Sequence, residues 1–311
     1  MKKHLIIGLL ICSATIKLYA QKQVIHYNIV FAPDLSNRLN PKLYPKAVND
    51  ADIVDGFLRR IWPEIIKLKR TEGQQDRFSV DFINKGLIGI YKINTDLLTI
   101  DLQRFGTHQS DRIDYIMSRH NVPQTLPGDI IKFNTEYRRF NNLASVSNNG
   151  ADIWTYFQSG IDARVVLPCV QKKKVTDVFR NIMILMTDGY IEAGIYQKGY
   201  DLSANKVSEF RKAFLKSKES NMETFLAKNP KFRINPVKNS FLNNLEVIVL
   251  EMYDRSLSRT GAATTHPTDM EIMKLIWSDW MRSSGVKRFE LKPIASNKDE
   301  AVKYILDFVK K

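Results

Sequence analysis

Cysteine is scarce in this sequence, with only Cys12 and Cys169 in 311 residues. Cys12 lies in a segment that we expect to be removed, so Cys169 alone would remain and no disulfide within the chain is possible. This excludes a small secreted scaffold held together by disulfides. Cys169 follows Pro168 in an apolar run that begins at Val165, and this setting predicts a buried, unreactive thiol.

Common catalytic and metal-binding motifs are also absent. The sequence contains neither a G-x-S-x-G nucleophile motif nor a G-x-x-x-x-G-K-[ST] phosphate loop. Its histidines show no H-x-x-x-H or H-E-x-x-H spacing, so no zinc motif is visible among His26, His108, His120 and His266. Glycine and proline, at 14 and 11 residues, are too few for a collagen-like or low-complexity chain.

Residues 1–20 have the pattern of a secretory signal peptide. A basic start precedes an apolar run that ends at Cys12, and Ala20 is a small residue at a plausible cleavage site. The alternative is an uncleaved membrane anchor, but the uncharged stretch 4–16 is short for a bilayer span. Lipidation of Cys12 is not expected, because the bulky Ile11 precedes it. We therefore expect an exported protein, periplasmic or secreted, with no transmembrane segment in the mature chain.

The charge balance is strongly basic, with 47 basic and 33 acidic residues and a net charge of +14. Without the three lysines of residues 1–20 the net charge is +11, which bears on partners rather than on fold. The basic stretch 206–238 is either a solvated helix face or a surface that attracts anionic envelope components or an acidic partner. Nucleic acid is not an expected partner, because the sequence has no recognised nucleic-acid-binding motif.

Apolar periodicity predicts that strands alternate with helices along the chain. Strands are predicted at 24–31, 78–83, 86–100, 182–186, 245–252 and 289–291. Helices are predicted at 51–65, 152–157, 207–215, 268–281 and from Asp299 to the end. Pro63 is expected to end or kink the first of these helices. Thr268 and Glu271 form a capping-box pattern, and Trp277 and Trp280 of that helix are expected in the core.

Continuous apolar strands are typical of a sheet that is covered on both faces. The alternation therefore predicts a three-layer, doubly wound α/β fold, Rossmann-like, around a mainly parallel sheet. No domain boundary is visible, so residues 21–311 are predicted to form one domain. Two regions, near 102–150 and 190–244, are interpreted as long insertions, and the first has no assigned secondary structure.

Polar side chains follow two of the predicted strands. Asp34 and Ser36 come after the first strand, and Asp188 comes after the apolar run that ends at Met186. In such sheets ligands bind at the carboxyl ends of the strands, where the strand order reverses. Carboxylate and hydroxyl oxygens suit Mg²⁺ or another divalent cation. The structural alternative is that each aspartate only begins a turn or caps a helix.

These residues resemble the metal-ion-dependent adhesion site of the von Willebrand factor A domain. That family has D-x-S-x-S after the first strand, and Asp34 and Ser36 match its first two positions. The family often has T-D-G after the fourth strand, and here Thr187, Asp188 and Gly189 stand in that order. The segment Asn149-Gly150-Ala151-Asp152-Ile153 resembles the Gly-Thr-Asp-Ile form of the family's second loop.

Two positions depart from the family pattern. Arg38 stands where the second serine is expected, and Ala151 stands where the threonine is expected. Asp152 is a candidate to supply a substitute oxygen. The resemblance thus implies that Asp34, Ser36 and Asp188, with Asp152 in a secondary role, hold a divalent cation. The other candidate binding residues are Asn37, Arg38, Thr187 and Gly189.

The resemblance implies a non-enzymatic recognition protein whose cation accepts a carboxylate from a protein or another acidic ligand. One alternative is a metal-dependent phosphohydrolase, in which aspartates at adjacent strand ends attack phosphorus and hold Mg²⁺. Against it, Ser36 stands where such enzymes resemble one another in having a second aspartate. The other alternative is a metal-free envelope scaffold, in which Arg38 bridges Asp34 and Asp188.

Overall fold

A mostly parallel β-sheet organises the chain. The computed structural model describes residues 22–42, 44–66, 73–119, 123–147, 149–172, 175–192, 201–258 and 260–311. The predicted signal peptide, Cys12 and His120 lie outside these residues, so their interpretation stays a prediction. The strands in the described part are β1 (Lys22–Pro33), β2 (Arg77–Val80), β3 (Thr99–Asp101), β4 (Val170–Gln171), β5 (Val175–Met186), β6 (Leu245–Met252) and β7 (Arg288–Pro293).

The order of the strands across the sheet is β3-β2-β1-β5-β6-β7, and β4 pairs with β5. The pairs β1–β2, β1–β5, β5–β6 and β6–β7 are parallel, whereas β3 and β4 run antiparallel to their partners. The chain leaves β1 toward β2 and later returns to the other side of β1 at β5. The strand order therefore reverses between β1 and β5.

Helices flank both faces of the sheet. They are α1 (Asp50–Ile61), α2 (Gly86–Ile90), α3 (Gln109–Met117), α4 (Leu126–Ser145), α5 (Ile153–Thr155), α6 (Ala204–Lys216), α7 (Met222–Lys228), α8 (Asp269–Ser283) and α9 (Lys298–Lys310). Within the described ranges, every helix is too short or too polar to span a bilayer.

Two apolar clusters fill the space between the sheet and its helices. Residues of α1, α4 and α9 pack with Ile29 and Phe31 of β1 on one face. Residues of α6, α7 and α8 pack with Val30 and Ala32 on the other face. Successive residues of β1 thus enter opposite clusters, because side chains of a strand alternate between the two faces. This arrangement confirms the predicted α/β fold with a mainly parallel sheet.

Elements with a strong local signal were predicted well. All eight residues of β6 are buried, as expected for a central strand. The capping box of Thr268 and Glu271 is present at the start of α8, and Trp277 and Trp280 are completely buried. Helix α1 ends at Ile61, two residues before Pro63, and a π-helical turn follows it.

Two local predictions are wrong. The segment 86–100 is not a strand over its length, because Gly86–Ile90 forms α2 and Thr95–Leu98 forms a 3-10 turn. Asn84 accepts a hydrogen bond from the amide of Gly86 at the start of α2, and Ile90 is 70% exposed. Cys169 is exposed rather than buried, because it precedes β4, a two-residue strand whose residues are themselves exposed.

The two regions interpreted as insertions supply core helices. Helix α4 places Phe133, Tyr137 and Phe140 in the cluster that also contains α1 and α9. Helix α6 places Val207 and Phe210 in the cluster on the opposite face. Both helices therefore belong to the layers that cover the sheet.

Candidate functional site

The candidate site lies where the strand order reverses. Asp34 directly follows β1, and Asp188 lies two residues after the end of β5. The two strands are hydrogen-bonded neighbours, and the amide of Asp34 donates to the carbonyl of Met186 at 2.9 Å. The structure thus brings the two aspartates to one edge of the sheet, at the position where doubly wound folds bind ligands.

A polar cleft of about 440 Å³ opens at this edge. Six of the eight residues predicted from the sequence line it, namely Asp34, Ser36, Asn37, Arg38, Asp152 and Asp188. Thr187 and Gly189 are not in its lining, and Thr187 is completely buried behind Asp34. The lining also includes Tyr44, Lys85, Tyr190, Glu192 and Arg255, which were not predicted from the sequence.

Hydrogen bonds from neighbouring residues orient the carboxylate of Asp34. Its Oδ1 accepts from the amide of Ser36 at 3.0 Å, and its Oδ2 accepts from the hydroxyl of Thr187 at 2.8 Å. The side chain of Ser36 makes no capping hydrogen bond to the 3-10 turn that follows it. The carboxylate of Asp34 is therefore held by the backbone of Ser36 on one side and by the hydroxyl of Thr187 on the other.

Arg38 belongs to the lining of the cleft but is almost completely buried. Its Nε donates to the carbonyl of Asp34 at 2.8 Å, and its guanidinium pairs with Asp50 at the start of α1. Burial opposes the charge of Arg38, but the charges of Asp50 and Asp34 outweigh it and raise the pKa. Burial likewise opposes the charge of Asp50, but Arg38 and Lys46 lower its pKa. The partners of Arg38 are thus Asp34 and Asp50, not the Asp34–Asp188 pair of the scaffold alternative.

Asp188 is paired with Arg255, a residue that was not predicted from the sequence. Its Oδ1 accepts from the amide of Tyr190 at 3.2 Å, and its Oδ2 accepts from Arg255 at 3.0 Å. Burial and the charge of Asp34 raise the pKa of Asp188 to about 6. A signal for Arg255 is present in the sequence, since it follows β6 closely at the same edge of the sheet, as Asp188 follows β5.

Asp152 caps a short helix at the rim of the cleft. It is the N-cap of α5, where Oδ1 accepts from the amide of Thr155 at 2.9 Å and Oδ2 from its hydroxyl at 2.7 Å. Ala151, which also lines the cleft, has no side-chain oxygen to offer. The neighbouring carbonyl of Gly150 accepts from Asn84 at 3.1 Å. This segment therefore forms a wall of the cleft and is tied to the loop after β2.

Gly189 allows the chain to turn sharply under the site. Its φ is +87°, a region that glycine adopts without steric cost. A Cβ at this position would lie 2.9 Å from Cε of Met252. Its carbonyl accepts from the indole of Trp277 at 2.8 Å, so the turn after Asp188 is anchored to α8.

The donor chemistry of the site fits a hard cation. Asp34, Ser36 and Asp188 offer only oxygen, and each carboxylate oxygen of Asp34 keeps a lone pair beyond its one protein hydrogen bond. In the described ranges, no three Asp, Glu, His or Cys side chains group as a metal site, so hydroxyl oxygen would have to complete the set. Two positive charges already lie beside these donors, since Arg38 Nε is 3.8 Å from Oδ2 of Asp34 and Arg255 is paired with Asp188.

The basic stretch 206–238 is partly committed to ion pairs within the protein. Arg211 of α6 pairs with the buried Asp269 of α8. Arg233 Nε donates to Asp279 at 2.8 Å, and Lys228 donates to Glu219 at 2.7 Å. These pairs connect elements of one face, so only part of the positive charge in this stretch is available to anionic envelope components.

Fold and site together define an α/β protein with a polar cleft at the reversal point of a mostly parallel sheet. The sequence matches no protein-family model and is not significantly similar to any curated protein.

Proposed function

We propose that this chain is an exported, non-enzymatic recognition protein, related in architecture to von Willebrand factor A domains. It binds a protein or another acidic ligand in the cleft at the carboxyl edge of its sheet. The observation that carries the proposal is the convergence of Asp34, Ser36 and Asp188 on one cleft between β1 and β5. Ligands of doubly wound proteins bind at this place in the fold.

A divalent cation such as Mg²⁺ is part of the proposal. Asp34, Ser36 and Asp188 would hold it, and the cation would supply an open coordination position for a carboxylate of the ligand. The pKa of Asp188 is raised by burial and then by the charge of Asp34, and the second effect supports this assignment because a cation would offset the repulsion between the two carboxylates. Arg255 and the cation would both neutralise Asp188, so we expect them to compete.

The test is to titrate Mg²⁺, Mn²⁺ and Ca²⁺ into chelator-treated protein and to measure the melting temperature at each cation concentration. The proposal expects a rise that depends on cation concentration, because a ligand that binds only the folded state stabilises it. Asp34→Asn should abolish the rise, whereas Asp162→Asn, an exposed carboxylate paired with Arg164, should keep it. Equal responses of the wild type and Asp34→Asn would contradict a cation at this site.

The same preparation separates the two alternatives. Turnover of a panel of phosphate esters, lost in Asp34→Asn, would favour the phosphohydrolase and overturn the non-enzymatic assignment. No response to any cation and unchanged melting in chelator would favour the metal-free scaffold. In that case recognition by the cleft would have to depend on side chains alone.

A further inference from the structure

Arg255 is held in the cleft between two tyrosine rings. Its guanidinium carbon lies 4.0 Å from the ring centre of Tyr190 and 4.8 Å from that of Tyr44. Its side chain is one quarter exposed, so it is accessible from the cleft. A guanidinium between two aromatic faces is stabilised by cation–π attraction, which orients its plane.

The rings that hold Arg255 are themselves fixed. The hydroxyl of Tyr190 donates to Asp269 at 2.5 Å and accepts from the amide of Arg255 at 3.4 Å. The ring of Tyr44 packs edge-on against Tyr253, with 6.0 Å between ring centres. The rings of Tyr190 and Tyr44 thus form a clamp around Arg255 that is anchored to α8 and to the loop after β6. Little side-chain entropy therefore remains to be lost when Arg255 binds a ligand.

Most of the hydrogen-bonding capacity of Arg255 remains unused. A guanidinium has five N–H donors, and Asp188 is its one acceptor among the residues that the structure describes. Its Nε is buried and has no hydrogen-bond partner in the same ranges. Since burial keeps Nε from direct contact with a ligand, an acceptor would bind the terminal N–H groups that Asp188 does not occupy.

The charge of the surroundings distinguishes between possible anions. Four acidic side chains, Asp34, Asp152, Asp188 and Glu192, and three basic ones, Arg38, Lys85 and Arg255, line the same cleft. The lining thus has a small excess of negative charge, which repels a phosphate with nearly two negative charges more strongly than a carboxylate with one. The flat guanidinium also matches the two oxygens of a carboxylate.

We infer that Arg255, in the clamp of Tyr44 and Tyr190, binds a carboxylate side chain of an acidic peptide. This inference rests on the proposed recognition function, since it names the ligand chemistry of the same cleft. It assigns Arg255 as the residue that selects the ligand, and this role does not require a bound cation.

The test is an NMR titration with a triglutamate peptide blocked at both ends, at constant ionic strength and in the presence of chelator. The Nε–H signal of Arg255, identified by its loss in Arg255→Lys, should shift with saturation. In Arg255→Lys, the affinity read from the amide of Tyr190 should fall about tenfold, because lysine lacks the planar fork. Tyr44→Leu, which removes one face of the clamp, should also weaken binding.

Arg104 offers a matched control outside the cleft. It likewise lies over two rings, Phe105 and Tyr115, and pairs with Asp129 at 3.3 Å. Arg104→Lys should leave the peptide affinity unchanged, and backbone spectra would show that each variant is folded. An unmoved Arg255 signal, an equal loss in Arg104→Lys, or tighter binding of inorganic phosphate would overturn the inference.

The two proposals fail in different ways. A shift of the Arg255 signal by peptide without any response to cations would leave this inference standing and remove the cation site. A cation response that depends on Asp34, with no effect of the peptide on Arg255, would support the cation site and overturn this inference. Peptide-induced shifts confined to surfaces distant from the cleft would overturn both the inference and the proposed binding site.

Discussion

Arg38 and Asp50 form an ion pair that is almost completely buried, with exposed side-chain fractions of 1% and 0%. Arg38 is also bonded to the backbone of Asp34, so the pair lies directly beside the candidate site. Arg38 therefore interacts mainly with the interior of the protein. Its charge is balanced by Asp50, whereas Asp34 and Asp188 in the cleft are themselves largely buried, at 2% and 7% exposed.

Breaking this pair should strongly destabilise the fold. Arg38→Ala leaves the buried Asp50 with Lys46 alone, and we expect the free energy of unfolding to fall by about 3–5 kcal/mol. Chemical denaturation at pH 7 measures this loss. Arg138→Ala breaks the exposed pair with Asp52 and should cost less than about 1 kcal/mol. Similar losses in the two variants would show that the Arg38–Asp50 pair contributes no more than a surface pair.

Glu251 should make stability depend on pH. Burial is the largest effect and, together with the charge of Asp50, raises its pKa to about 7. Lys46, Arg38 and the amide of Ala295 act in the opposite direction but are outweighed. The pKa is therefore higher in the folded than in the unfolded state, and the folded state binds the proton more tightly. Ionisation of Glu251 then reduces stability as pH rises from about 4.5 to 7.

Glu251→Gln should remove this loss and be more stable than the wild type at pH 8 by about 1–3 kcal/mol. Glu246 of the same strand is the opposite case, because Arg180 and Arg288 overcome the effect of burial and lower its pKa. Glu246→Gln should lose stability at neutral pH, and this difference from the wild type should shrink in acid. Denaturation curves between pH 4 and 8 test both signs, and parallel curves for wild type and Glu251→Gln would refute the first.

Gly189 and Gly261 form a matched pair of glycines with positive φ, +87° and +82°. No atom of the described residues lies within 4 Å of a Cβ at Gly261, so we expect Gly261→Ala to carry only the conformational cost, about 1 kcal/mol. Gly189→Ala adds a contact with Met252 at 2.9 Å, and its total cost should reach about 2–4 kcal/mol. Urea denaturation compares them, and equal costs would mean that Met252 moves aside freely.

Cys169 should react readily in the native protein because it is exposed. We expect complete labelling by a maleimide without denaturant, and a change of less than about 0.5 kcal/mol in stability for Cys169→Ser. Mass spectrometry of the labelled protein measures the first and denaturation the second. Labelling that requires unfolding would restore the sequence-based interpretation of a buried thiol.

Regular apolar patterns explain where sequence-based prediction succeeded. The strand Leu245–Met252 is apolar apart from two glutamates, and α8 begins with a capping box. The apolar run and the capping box are both local patterns that can be recognised in the sequence. The segment 86–100 failed because its apolar residues are divided between α2, a 3-10 turn and the short β3. Helix α4 was missed because polar residues such as Asn134, Glu136 and Asn141 are buried on it beside the aromatic ones.

The sequence by itself determined the alternation of strands and helices and the places of Asp34 and Asp188 at strand ends, since apolar periodicity and turn residues act locally. Tertiary structure alone decided that Arg38 turns toward Asp50 and that Arg255 pairs with Asp188. The orientation of a charged side chain depends on the nearest opposite charge in space. For Arg255 that partner lies 67 residues away along the chain, brought close by the parallel pairing of β5 with β6.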